Sequence, residues 1–92
     1  MACVIVAMDD VREQFGQIVR RLRKERALTQ EELAFKAGMS VPYLSDLERG
    51  MWNPSLAMIV DLARALEIQP SDLLIGLVIP EAAPTSRKRP EE

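Results

Sequence analysis

The 92-residue chain has no histidine, a single cysteine, four glycines and only four aromatic residues. With Cys3 alone and no histidine, neither an internal disulfide nor a Cys/His metal site has its partners, which fits a reducing compartment. The acids are dispersed at helical spacing and no glycine-rich loop is present to cradle a phosphate, so an enzyme is not expected. No cofactor or metal is expected either. No apolar run approaches the ~18 residues of a membrane span. The opening MACVIVAM is apolar, but it lacks the basic n-region of a secretory signal and its apolar stretch is too short. A cytoplasmic location without membrane contact is the expectation. The shortage of aromatics leaves Leu, Ile, Val, Ala and Met to build the core, and a chain of this length supports one small core. It leaves no room for a separate small-molecule effector domain.

What is present has an ordinary soluble composition, 48% apolar and 28% charged, with a net charge of −2. That sign is opposite to the basic footprint of most nucleic-acid binders. The distribution, however, is uneven. Residues 11–26 carry six bases against two acids, a net +4, whereas residues 27–77 carry three bases against seven acids, a net −4. An acidic total limits non-specific affinity for phosphate without excluding sequence-specific contact.

Residues 1–8 form an apolar segment with β-branched Val4, Ile5 and Val6, readable as a frayed end or as a strand that pairs with its own copy across a dimer. Asp9 or Asp10 caps a first helix that runs to about residue 26, with Val11, Phe15, Ile18, Val19 and Leu22 on one face. Arg20, Arg21 and Lys24 fall mostly off that stripe, on a solvated face. Residues 51–55 form a loop in which Trp52 is expected as a lid on the core edge, with a DNA-backbone contact as the alternative. Ser55 caps a fourth helix whose stripe is Leu56, Ile59, Leu62, Ala63 and Leu66. Pro70 opens a short fifth helix carrying Leu73, Leu74 and Leu77. Residues 78–92 are proline-rich and charged, so a disordered tail is expected, its Arg87, Lys88 and Arg89 a solvated run.

The informative stretch is residues 29–50, TQEELAFKAGMSVPYLSDLERG. Thr29 with Glu32 three residues on is a capping box, and Leu33, Ala34 and Ala37 give the helix a slim inward face. Gly38 suits a left-handed termination. Ser40 caps the next helix, Pro42 falls in its first turn, and Leu44 and Leu47 turn it back onto the first. Two short helices joined by a tight turn with a glycine make a helix-turn-helix. The expected fold is all-α, a compact five-helix bundle over residues 9–77. Its core is Phe15, Ile18, Leu22, Leu33, Ala34, Leu44, Leu47, Ile59, Leu62 and Leu66.

Gln30, Leu33, Ala34, Gly38, Leu44, Leu47, Glu48 and Gly50, at these spacings, resemble the signature of the lambda-repressor-like, Cro/C1-type (XRE) DNA-binding domains. The similarity extends over residues 15–74 or so. It implies a sequence-specific transcriptional regulator of double-stranded DNA, a pairing of Arg23 with Glu48, and a phosphate contact from Gln30. A helix fits the ~12 Å major groove, and the second helix of such a motif enters it with N-terminal residues facing base edges. Ser40, Val41, Pro42, Tyr43 and Asp46 are thus the candidate base readers, and Gln30, Ser45, Arg49, Asn53 and Ser55 the candidate backbone contacts. None of the readers is a Gln, Asn or Arg able to make a bidentate base contact. Direct readout therefore rests on Ser40 and on apolar contacts from Val41 and Pro42 to thymine methyls, with DNA shape carrying much of the specificity. A homodimer on a palindromic operator is expected, through Leu73, Leu77, Val78 and Ile79, with residues 1–8 as second choice. The rival reading is a protein–protein interaction module on the same fold, antitoxin-like or regulator-binding, which the acidic total and apolar readers favour.

Overall fold

The computed structural model describes residues 10–79, which contain no strand. In chain order come α1 (Val11–Glu25), α2 (Gln30–Ala37), α3 (Val41–Glu48) and α4 (Leu56–Leu66), followed by a single 3-10 turn at Pro70–Leu73. A small polar side chain caps each α-helix start. Asp10 accepts from the Arg12 amide at 2.8 Å, Ser40 from Tyr43 at 3.2 Å and Ser55 from Met58 at 3.1 Å. Thr29 and Glu32 close a reciprocal capping box at 2.9 and 3.0 Å.

The four helix ends share one geometry. The residues just past them, Ala27, Gly38, Gly50 and Glu67, all have positive φ. The amide after each bonds a carbonyl five residues back: Leu28 to Arg23, Met39 to Ala34, Met51 to Asp46 and Ile68 to Ala63, at 2.9–3.1 Å. These are Schellman terminations, in which an apolar residue follows the left-handed one and packs back on the helix. Leu28, Met39 and Ile68 do rest against the core.

That core is Phe15, Ile18 and Val19 of α1, Leu33, Ala34 and Ala37 of α2, Leu44 and Leu47 of α3, Leu62, Ala63 and Leu66 of α4, and Leu73. Leu22 and Ile59, expected within it, are half-buried at its edge. Leu56, expected in the α4 stripe, is 77% exposed because it occupies the first position of that helix, before the stripe turns inward.

The expected fifth α-helix is corrected to the 3-10 turn, leaving four α-helices. The chain turns at residues 74–76, and at Val78 its backbone exchanges two hydrogen bonds with the Gln14 side chain, N–H to Oε1 at 2.8 Å and C=O from Nε2 at 3.1 Å. A side-chain amide of α1 thus satisfies backbone groups that a further helical turn would have paired internally. Leu73 is also corrected. Expected on a dimer surface, it has no exposed area and closes the bottom of the core. The expectations for residues 1–8 and for the tail from residue 80 onward lie outside the described residues.

Candidate nucleic-acid interface

The helix that begins at Ser40 is anchored at its far end. Where α3 meets α1, a Cβ on Gly16 would lie 2.5 Å from the Glu48 carbonyl oxygen and 2.6 Å from that of Leu47. Only glycine permits that approach. The fit is reciprocal, since a Cβ on Gly50, at φ +84°, would lie 2.8 Å from the Glu13 Cα. Helix α1 and the end of α3 therefore touch backbone to backbone through one glycine on each side.

A buried ion pair lies beside this contact. Arg23 donates from Nε to Glu48 Oε2 at 2.7 Å and from Nη2 to Oε1 at 3.1 Å, and its Nη1 reaches the Leu28 carbonyl at 2.9 Å. Side-chain exposures of 9% and 3% place it in a region where a planar, bidentate geometry, with each of the three guanidinium nitrogens donating, offsets desolvation. Gln30, at the start of α2, donates from Nε2 to Glu48 Oε1 at 3.0 Å. One carboxylate thus ties α1, α2 and α3 together, and it orients the residue that the resemblance assigns to a phosphate.

The N-terminal half of α3 is left open. Ser40 and Pro42 are exposed, while Tyr43, Ser45 and Asp46 are half-buried. Ser40 Oγ accepts the Tyr43 amide, which leaves its hydroxyl hydrogen able to donate to a base or phosphate acceptor. Val41 packs partly on the core, so Pro42 is the more accessible apolar reader. Asp46 is paired with the Arg49 guanidinium at the exposed end of α3, a solvent-facing pair that leaves Arg49 able to exchange its partner for a phosphate. Asn53 and Ser55 are exposed ahead of α4.

Trp52 is not the lid expected from the sequence. Its ring stacks on Tyr43, with centroids 5.6 Å apart and planes at 25°, and the residue is 46% exposed. Sequence reasoning missed this stack and also the part played by Gly16. An isolated glycine inside a helical pattern was the available signal for the second, because such a residue weakens a helix unless a close contact requires it. Of the expected dimer residues, Leu77 is half-buried, whereas Val78 and Ile79 are 54% and 89% exposed, with Leu74 and Ile75 open beside them. No helix among the described residues is long and apolar enough to cross a membrane.

A profile of the helix-turn-helix family matches residues 19–73. The chain is 43% identical over 67 residues to the control protein C.BamHI of Bacillus amyloliquefaciens, covering 72% of this chain and 83% of that one. It is 49% identical over 59 residues to the immunity repressor of Bacillus phage phi105, matching 64% of this chain but only 41% of the repressor. Among solved structures, the restriction-modification controller protein C.AhdI of Aeromonas hydrophila superposes with a TM-score of 0.65 at 46% identity, over 66% of this chain and 92% of that one.

Proposed function

Because the chain belongs to the Cro/C1-type (XRE) helix-turn-helix family of DNA-binding transcription regulators, we propose that it is a homodimeric regulator of a palindromic operator, with α3 as its recognition helix. The observation that carries this reading is the mounting of α3. Its C-terminal end is locked to α1 by Gly16, Gly50 and the Arg23–Glu48 pair, while its N-terminal half stands open with Ser40 and Pro42 exposed. A rigid helix with a free N-terminal face is what major-groove reading requires. The names of C.BamHI, C.AhdI and the phage repressor support transcriptional control.

In this reading Ser40, Pro42 and Tyr43 face base edges, while Gln30, Ser45, Arg49, Asn53 and Ser55 meet the backbone. Phosphate contacts position a protein and base contacts specify its site, so the two sets should respond differently to substitution. A mobility-shift titration across a salt series tests the division. Gln30→Ala or Asn53→Ala weakens binding to all duplexes alike, and Arg49→Ala also flattens the salt slope by about one unit. Ser40→Ala and Pro42→Ala change which duplex is preferred, by ~1–3 kcal/mol for each lost base contact. Equal losses on every duplex from all these variants would remove α3 from the role of reader. The net charge of −2 and the 87% exposed Phe35 favour a second reading, an interaction module, which a variant-insensitive, sequence-blind protein would support.

A further inference from the structure

The stacked pair of Tyr43 and Trp52 is not accounted for by the core. Trp52 is 46% exposed and lies outside the buried cluster, so burial of a large ring does not explain its position. The chain path does. At the end of α3, Gly50 adopts φ +84° and the Met51 amide bonds the Asp46 carbonyl at 3.0 Å, which turns the chain out of the helix and lets the Trp52 ring reach a residue of that helix's first turn. There it meets Tyr43 at 5.6 Å between centroids. The ring it covers belongs to the residue whose amide is capped by Ser40, within the open half of the helix.

We propose that Trp52 is a positioning residue for DNA reading: its stack holds the Tyr43 ring in one orientation before DNA arrives, and thereby raises preference for the specific site. This role rests on α3 being the recognition helix. The reading face carries no Gln, Asn or Arg to supply a bidentate base contact, so discrimination depends on the fixed shape of small and aromatic side chains. Ordering a side chain at the moment of binding costs affinity, and a ring ordered beforehand avoids that loss, an effect of about 2- to 10-fold for one side chain. An ordered ring adds to the specific complex, where Tyr43 meets a base edge or methyl group. It adds little to a non-specific complex held by phosphates.

The test compares wild type, Trp52→Ala, Trp52→Phe, Tyr43→Ala and the double variant Tyr43→Ala/Trp52→Ala. Each is titrated on the duplex that wild type selects and on an unrelated duplex. We expect Trp52→Ala to cut the ratio of specific to non-specific affinity about 2- to 10-fold, Trp52→Phe to restore most of it, and the double variant to be no worse than Tyr43→Ala. Equal loss on both duplexes would make Trp52 a backbone contact, and additive losses would make it independent of Tyr43; either overturns the positioning role. The Tyr43 ring resonances of the free protein give a readout without DNA. They should move when Trp52→Ala removes the neighbouring ring current, and unmoved resonances overturn the stack while leaving α3 as reader. A wild type with no duplex preference overturns both.

Discussion

Glu48 receives three side-chain hydrogen bonds, two from Arg23 and one from Gln30, so its carboxylate is the joint of the three-helix corner. Removing one partner of a buried pair strands the other charge in a poorly solvated place, which costs about 3–5 kcal/mol, against ~0–1 kcal/mol for an exposed pair. Arg23→Ala should therefore lower the stability measured by urea denaturation by several kcal/mol, and Arg21→Ala, whose partner Glu25 is as exposed as itself at 59%, should barely alter it. Asp10 supplies a pH-dependent contribution. Its side-chain hydrogen bonds to Arg12 hold its pKa below the usual 3.8, so the native state favours the ionised form. The unfolded carboxyl takes up its proton first, so this stabilisation is complete above about pH 4 and is lost as pH falls through the native pKa. Asp10→Asn keeps a capping oxygen but cannot titrate. Below pH 4 its melting temperature should fall less steeply than that of wild type.

Helix α1 depends on Gly16 in a way that ordinary helix propensity opposes. Alanine is the better helix former by roughly 0.5–1 kcal/mol, yet its Cβ would meet the Glu48 carbonyl oxygen at 2.5 Å, and backbone cannot rotate away as a side chain could. Gly16→Ala should lose about 1–3 kcal/mol through overpacking and displace α3, so DNA affinity falls with stability. The reverse change applies at Ala27, which sits at φ +57°. A non-glycine residue there carries a penalty of ~1–2 kcal/mol, partly offset by the ~0.4–1 kcal/mol of entropy that glycine adds to the unfolded chain. Ala27→Gly should raise the melting temperature by a few degrees. These two positions also mark what the sequence made legible. The starts of all four α-helices could be read from Thr29, Ser40, Ser55 and, with Asp9 as the alternative that the structure decides against, Asp10, because an N-cap is a local contact between a side chain and amides two or three residues away. The ends of α1 and α4 followed from where the apolar stripes stop, near residues 26 and 66, but only at Gly38 after α2 was the left-handed turn itself legible; Ala27 and Glu67 adopt it where nothing local demands a left-handed residue. Those turns are imposed from a distance by Leu28 and Ile68 reaching the core, as the fifth helix is cut short by Gln14 pairing with Val78. The stack of Trp52 on Tyr43 was hidden for the same reason, since it depends on a turn of the chain whose direction only the folded corner fixes.

At the level of the entire molecule, a single reading helix contacts only a few base pairs, and specificity on a long genome calls for two copies in fixed register. With Leu73 buried, the proposed dimer surface is reduced to Leu77, Val78 and Ile79, with Leu74 and Ile75 exposed beside them; Ile75 and Ile79 are 75% and 89% exposed. Ile75→Asp should leave the monomer folded and convert a dimer to monomers in sedimentation velocity at about 20 µM, a regime in which a dimer of micromolar Kd is largely formed. A wild type that sediments as a monomer there would remove the dimer. The arrangement of candidate readers was only partly legible: their position on the exposed start of α3 followed from caps and periodicity, but the pairing of Asp46 with Arg49 and the lean of Val41 on the core required the fold. The central proposal is that α3 reads double-stranded DNA. The most direct measurement is selection from a pool of random duplexes at on the order of 100 mM salt, followed by sequencing. Enrichment of a twofold-symmetric site with half-site centres about 34 Å apart, and a shift in its consensus when Ser40 or Pro42 is replaced, is the expected result. A pool that stays random after repeated rounds with wild type would contradict it.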